Sequence, residues 1–184
     1  MHRTILLIHD EDSLGGALDA QGIASAPLLA SFHADIAHLT AQVRNCTIAT
    51  SFPQPAPPGP IVMLSTAVPH LPLARLHDAF THLEHGADLV VGPCDNGSWY
   101  LVGFRSAPAP HQLGFPKAGA PLAPLIALGL ATQQRVHRLP PWYRIANLGD
   151  LERLSADLRT MPADTALHTR HHLLQSVGLR VVGS

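Results

Sequence analysis

Short apolar runs that alternate with leucines at helical spacing constrain this chain more than any other feature. Thr4–Ile8, Cys46–Thr50, Ile61–Leu64 and Asp88–Gly92 read as strands, and Arg135–Leu139 as a short one. Between them, Leu28, Leu29, Phe32, Ile36, Leu39 and Val43 mark a helix over Pro27–Val43. Leu73, Leu76, Phe80 and Leu83 mark a second, opened by Pro72 and ended by Gly86. Leu122, Leu125, Ile126 and Leu130 give a third within Pro121–Gln134, and Leu148, Leu151, Leu154 and Leu158 a fourth. Thr165–Val177 is a last helix. Such alternation predicts a layered α/β sandwich on a mostly parallel sheet, spanning residues 1–184 as one domain. Asn96-Gly97 is a tight-turn signal that leads into a strand at Trp99–Phe104, the sheet's one antiparallel excursion. Asp10–Gly16 reads as a polar turn, SFPQPAPPGP (51–60) as a stiff extended connection, and Ala107–Gly119 as loop.

Charge narrows the range of partners. Twelve basic side chains face thirteen acidic ones, a formal charge of -1, which leaves no electrostatic footprint for nucleic acid or an anionic membrane. No apolar run approaches a membrane span, and the apolar start is broken at once by His9, Asp10, Glu11 and Asp12, unlike a signal peptide. A cytoplasmic protein is therefore expected. Cys46 and Cys94 are too few for a disulfide scaffold and fit no zinc spacing. With 46% hydrophobic residues and weak charge repulsion, a homodimer or a complex with a protein of the same pathway is expected.

In an open parallel sheet, ligands sit beyond the carboxyl ends of the strands, which singles out the loops Ser65–Leu71, Pro93–Trp99 and Trp142–Gly149. Trp99, Tyr100, Trp142 and Tyr143 are half-polar aromatics there, able to line a pocket or to pack at the sheet edge. Cys94 with His70 has the residue types of a nucleophile and its base, against the plainer reading of a small buried packing residue. His82 with His85, and His168 with His172, have helical spacing for a surface metal but no acidic partner at ligand distance, so no metal site is assigned. The Gly15-Gly16 pair lacks the pattern of a phosphate-binding loop.

The same three loops carry a family resemblance. Ser65-Thr66-Ala67-Val68-Pro69-His70-Leu71, then Gly92-Pro93-Cys94-Asp95-Asn96-Gly97-Ser98-Trp99-Tyr100-Leu101-Val102-Gly103, then Pro141-Trp142-Tyr143-Arg144-Ile145-Ala146-Asn147-Leu148-Gly149-Asp150-Leu151 resemble three motifs of the DUF2064 family. Its members look like small GT-A nucleotide-diphospho-sugar transferases and are often grouped with arsenosugar-related and selenodomain-associated transferases. The resemblance runs from about Ile61 to Leu154 and implies a three-layer GT-A-like sandwich. It also implies a cluster of Ala67, Asp95, Asn96 and Ala146 at one end of the sheet.

Departures from the family pattern shape the functional expectation. Family carboxylates fall here on Ala67, Asn96, Arg144 and Ala146, which leaves Asp95 as the surviving inner acid. Mg²⁺ or Mn²⁺ needs hard anionic oxygens, and a leaving diphosphate needs its charge neutralised. The basic loop expected after strand one is replaced by the acidic Asp10–Gly16, and the Gly-rich binding loop by SFPQPAPPGP, so the fold is expected to be trimmed. Two readings follow. One is a degenerate, non-catalytic relative without cofactor that serves as a structural or regulatory partner or as a binder of a small neutral ligand. The other is a metal-independent transferase of a nucleotide sugar, with Asp95 as its catalytic group and Arg144, with Arg105 and Lys117 beyond it, as thin cover for phosphate; only that enzymatic reading would leave room for Mg²⁺ or Mn²⁺. In both, the pocket candidates are Thr66, Ala67, His70, Cys94, Asn96, Trp99, Trp142, Arg144 and Ala146.

Overall fold

A computed structural model of the chain describes residues 1–9, 12–106 and 119–181, with the side chains of Asp12, Ser13 and 176–181 left aside. Its described elements are β1 (Arg3–Ile8), α1 (Asp12–Asp19), α2 (Ser25–Ala41), β2 (Cys46–Ala49), β3 (Ile61–Ser65) and α3 (Leu73–Glu84). They continue with β4 (Leu89–Pro93), β5 (Trp99–Phe104), α4 (Ala123–Ala131), β6 (Val136–Arg138), α5 (Leu148–Asp157) and α6 (Leu167–Val181).

The strands form one six-stranded sheet in the order β2-β1-β3-β5-β4-β6. Only β5 runs against its neighbours, and it pairs antiparallel with both β3 and β4. The predicted antiparallel excursion is therefore present. Its cause is the turn at residues 94–98, where Gly97 takes φ +80, a left-handed geometry that a β-carbon would strain. Every residue of β3, β4 and β5 is buried, as expected for central strands covered on both faces. At the two edges stand the shortest strands, β2 and β6; β2 runs into the proline-rich 51–60 segment, and β6 into Pro140-Pro141.

Alternation along the strands sends side chains to two cores. Ile5, Val62, Leu64 and Val90 pack under α2 and α3 with Ile36, Leu39, Leu76 and Phe80. Leu6, Met63, Val91, Trp99 and Val102 pack under α4 with Leu122 and Leu125. The result is helix, sheet and helix in three layers. A third cluster, beyond the carboxyl end of the sheet, joins Leu14 and Leu18 of α1 to Leu28, Phe32, Tyr143, Ile145 and Leu154.

That third cluster corrects the turn expected at Asp10–Gly16: residues 12–16 open α1, while Asp10 and Glu11 lie outside the described residues. Glycine in a helix costs about 1 kcal/mol per residue. Burying a leucine completely returns about 1.5–3 kcal/mol, and Leu14 and Leu18, one turn apart, are both fully buried. The packing outweighs the glycine pair. The Ala107–Gly119 loop assignment lies, except for Gly119, outside the described residues.

Helix α6 is held by a side chain distant in sequence. The Asp35 carboxylate, buried on α2, accepts hydrogen bonds from the backbone N–H groups of His168 and Thr169, both at 2.9 Å. These belong to the first turn of α6, where N–H groups have no partner within the helix.

Candidate functional site

The three loops predicted to carry the chemistry converge at the carboxyl ends of β3, β4 and β6. Thr66 continues from β3, its N–H donating to Ile8 O of β1 at 3.0 Å. Ala67 O accepts from Ile145 N at 2.8 Å, which joins the first loop to the third. Trp142 N donates to Pro93 O at 3.0 Å and Asp95 N to Trp142 O at 3.3 Å, which joins the second loop to the third. Ala67, Asp95 and Ala146 are thus at the same end of the sheet, as expected, with Asn96 following Asp95 in the turn.

What the side chains do there is largely internal. Asn96 Oδ1 accepts from the N–H (3.1 Å) and the hydroxyl (2.6 Å) of Ser98, so it shapes the turn. Asp150 Oδ2 accepts from Ala146 N at 3.0 Å, and Asn147 Oδ1 caps α5 by accepting from Asp150 N at 3.0 Å. Ala67 is completely buried, and its methyl offers no ligand atom. Cys94 is buried, and that burial pushes its thiol up to about 11, so at neutral pH it is protonated and poorly nucleophilic. Trp99 is fully buried on the α4 face, in the core with Leu122 and Leu125. Arg144 is buried, and desolvation lowers its pKa against the raising influence of Asp150. Arg105 requires a correction: it lies at the opposite end of the sheet, after the last residue of β5. There it bonds to the carbonyls of Ala87 and Gly86 and pairs with Asp88 at 2.9 Å. Lys117 lies outside the described residues.

Asp95 meets a cation that sequence reasoning missed. Arg153 Nη1 donates to Asp95 Oδ2 at 3.1 Å, while its guanidinium lies 3.8 Å from the centroid of the Tyr143 ring. Tyr143 donates its phenolic hydrogen to Asp157 Oδ2 at 2.7 Å. On its other contacts, the Tyr143 ring sits 4.3 Å from the His70 ring, itself 5.4 Å from Trp142. A spacing signal existed: Asp150, Arg153 and Asp157 form a polar row between the leucines of α5.

The divalent metal that only the enzymatic reading would allow fits this arrangement poorly. Among the described residues, no group of three or more His, Cys, Asp or Glu side chains stands close enough to hold an ion. Asp10, Glu11 and the side chain of Asp12, the acids that follow β1, lie outside the described residues.

His70 is 1% exposed, and neither ring nitrogen has a hydrogen-bond partner among the described residues. Burial, with a smaller contribution from the charge on Arg153, lowers its pKa from 6.5 to about 3. Since the folded value lies below the unfolded one, the unfolded chain binds the proton first as pH falls. Stability held above pH 6.5 is therefore lost progressively down to about pH 3, at up to about 1.4 kcal/mol per pH unit. Urea unfolding at pH 7 and pH 5 should show wild type losing about 2 kcal/mol more than His70→Gln. Equal losses would remove His70 from the acid response.

The fold and the loop-lined carboxyl edge define the class. This is an α/β fold with a mixed, mostly parallel sheet that resembles the GT-A nucleotide-diphospho-sugar transferase fold. A crystal structure described as a "putative nucleotide-diphospho-sugar transferase" from Desulfovibrio desulfuricans G20 is similar to it at a TM-score of 0.74 and 16% identity. That similarity covers 97% of each chain, so against this structure the chain is not trimmed as expected. The chain belongs to the family described as "Uncharacterized protein conserved in bacteria (DUF2064)", whose model matches residues 24–115. The matched stretch contains the first two motifs, and the third lies beyond it. No curated protein matches the sequence. Among the described residues, no helix is long and apolar enough to cross a membrane.

Proposed function

We propose that this protein is a degenerate, non-catalytic member of its family, which keeps the transferase scaffold as a binder of a small uncharged ligand or as a partner of another protein. The observation that carries this reading is the Asp95–Arg153 pair. The surviving inner acid is paired with a guanidinium 3.1 Å away, while the other inner acidic positions hold Ala67, Asn96, Arg144 and Ala146, and Asp150 is engaged by the Ala146 amide. A divalent ion there would have to displace Arg153 and would gain a single anionic side chain in return. Exposed Leu128 and Leu130 on α4 support an assembly with itself or a pathway partner.

One observation favours a second reading, a metal-independent nucleotide-sugar transferase. Arg153 and Asp95 are both half exposed, so the guanidinium is positioned to meet a phosphate while Asp95 orients an acceptor. Calorimetric titration with UDP-, GDP-, CDP- and ADP-linked sugars, with and without Mn²⁺, separates the two. The expected result is no binding in either condition. Micromolar binding of any of them, lost in Asp95→Ala or Arg153→Ala, would overturn the non-catalytic reading. Both variants should stay folded, because an exposed ion pair contributes about 0–1 kcal/mol.

A further inference from the structure

Behind the site, on the face of the sheet covered by α2 and α3, lies a cavity of about 400 Å³ between α2, the start of α3 and the Met161–Ala166 segment. We propose that this cavity binds an uncharged ring compound that carries both a hydrogen-bond acceptor and a donor. Its volume falls in the range of small-molecule sites. Its wall combines the apolar Leu39, Leu71, Leu73 and Met161 with two rings, His70 and Trp142. Those two rings hold the unsatisfied groups of the region: both nitrogens of His70 and the indole Nε1–H of Trp142 are buried without a hydrogen-bond partner among the described residues.

Buried polar groups in native proteins nearly always find partners, because leaving them unpaired costs free energy. Here the cost falls on three nitrogens in adjacent rings, and the space beside them is the cavity. A neutral imidazole offers one donor and one acceptor, and indole one donor. A compound with a carbonyl and an N–H or hydroxyl on a compact ring complements that set. None of the three nitrogens presents surface in this state, so a turn of the His70 imidazole and of the Trp142 indole toward the cavity accompanies binding.

Charge excludes the anionic alternatives. No lysine or arginine lines the cavity. Of its two acids, Asp35 already accepts from two α6 amides, and Asp164 is exposed on the rim. Besides His70 the lining holds one further histidine, His38, so a phosphate or carboxylate would enter against these acids with no permanent cation to compensate. The neutral state of the buried His70 at physiological pH agrees with an uncharged guest.

This inference deepens the small-ligand branch of the non-catalytic reading and rests on it, and it is tested separately, since Asp95 takes no part in the cavity. Saturation-transfer NMR and tryptophan fluorescence with nicotinamide, uracil, benzamide and δ-valerolactam test it. At least one probe is expected to bind wild type and Asp95→Ala alike, and to bind His70→Phe and Leu73→Trp at least ~10-fold more weakly. Leu73→Trp fills the cavity from its half-buried rim and carries the test should His70→Phe fail to fold. Binding by none of the four probes would overturn the proposal. So would binding that Leu73→Trp leaves unchanged, which would place the probe elsewhere.

Discussion

Replacing Gly92 by alanine is expected to destabilise the fold by about 2–3 kcal/mol, the cost of overpacking a rigid core. A β-carbon at this position would fall 2.5 Å from Cζ and 2.6 Å from Cε2 of Tyr100. The ring cannot step aside cheaply. Tyr100 is completely buried, in the same core cluster as Leu76 and Phe80, and its hydroxyl donates to Pro140 O at 3.1 Å. Gly92 sits opposite Leu101 where the β4–β5 register shifts, so moving the backbone instead would break the ladder next to the 94–98 turn. Urea denaturation should show a lower midpoint with an unchanged slope. A midpoint equal to that of wild type would mean that the ring has room to rotate.

Asp35→Ala is expected to cost about 3 kcal/mol. Hydrogen bonds to a charged acceptor contribute about 1.5–3 kcal/mol each, and a carboxylate also complements the positive end of a helix. The substitution removes both bonds to the first turn of α6 and leaves the His168 and Thr169 amides without an acceptor. Asp35→Asn, which keeps one acceptor oxygen, should lose roughly half as much. Hydrogen exchange should locate the effect, with faster exchange of the His168 and Thr169 amides at unchanged protection in β3 and β5. Uniform loss of protection would instead make α6 part of the global folding unit.

The central strands were legible because continuous apolar runs such as Ile61–Leu64 and Trp99–Phe104 stand between turn residues, and burial on both faces leaves such runs. Helix α1 was not, since Gly15-Gly16 suggested a turn, and only the third cluster reveals why Leu14 and Leu18 impose a helix. The site divided in the same way. Its framing loops could be placed from their position after strands, and Ala67, Asp95 and Ala146 do meet at one end of the sheet. Arg153 could not, because its contact with Asp95 spans 58 residues and depends on β6 lying parallel to β4. Arg105 was misplaced although the sequence already implied an antiparallel strand, which delivers its last residue to the far end of the sheet. His70 was legible as a loop residue, but not as a wall shared with Met161–Ala166, which only the packing of α6 on α2 brings near.

The two short edge strands have a consequence for how copies of this chain can meet. A sheet edge is a template: its free N–H and C=O groups invite a strand from another molecule, and an unguarded edge leads to open-ended fibres. Here β2 has four residues and β6 three, and prolines follow each: Pro53 and Pro55 on one side, Pro140 and Pro141 on the other. A proline lacks the N–H that an incoming strand would need. The ladder therefore runs out of donors within a few residues at both borders. Joining by continuous strand addition is thereby disfavoured, and an association of copies is expected to use the helical layers, where contact closes on itself instead of propagating.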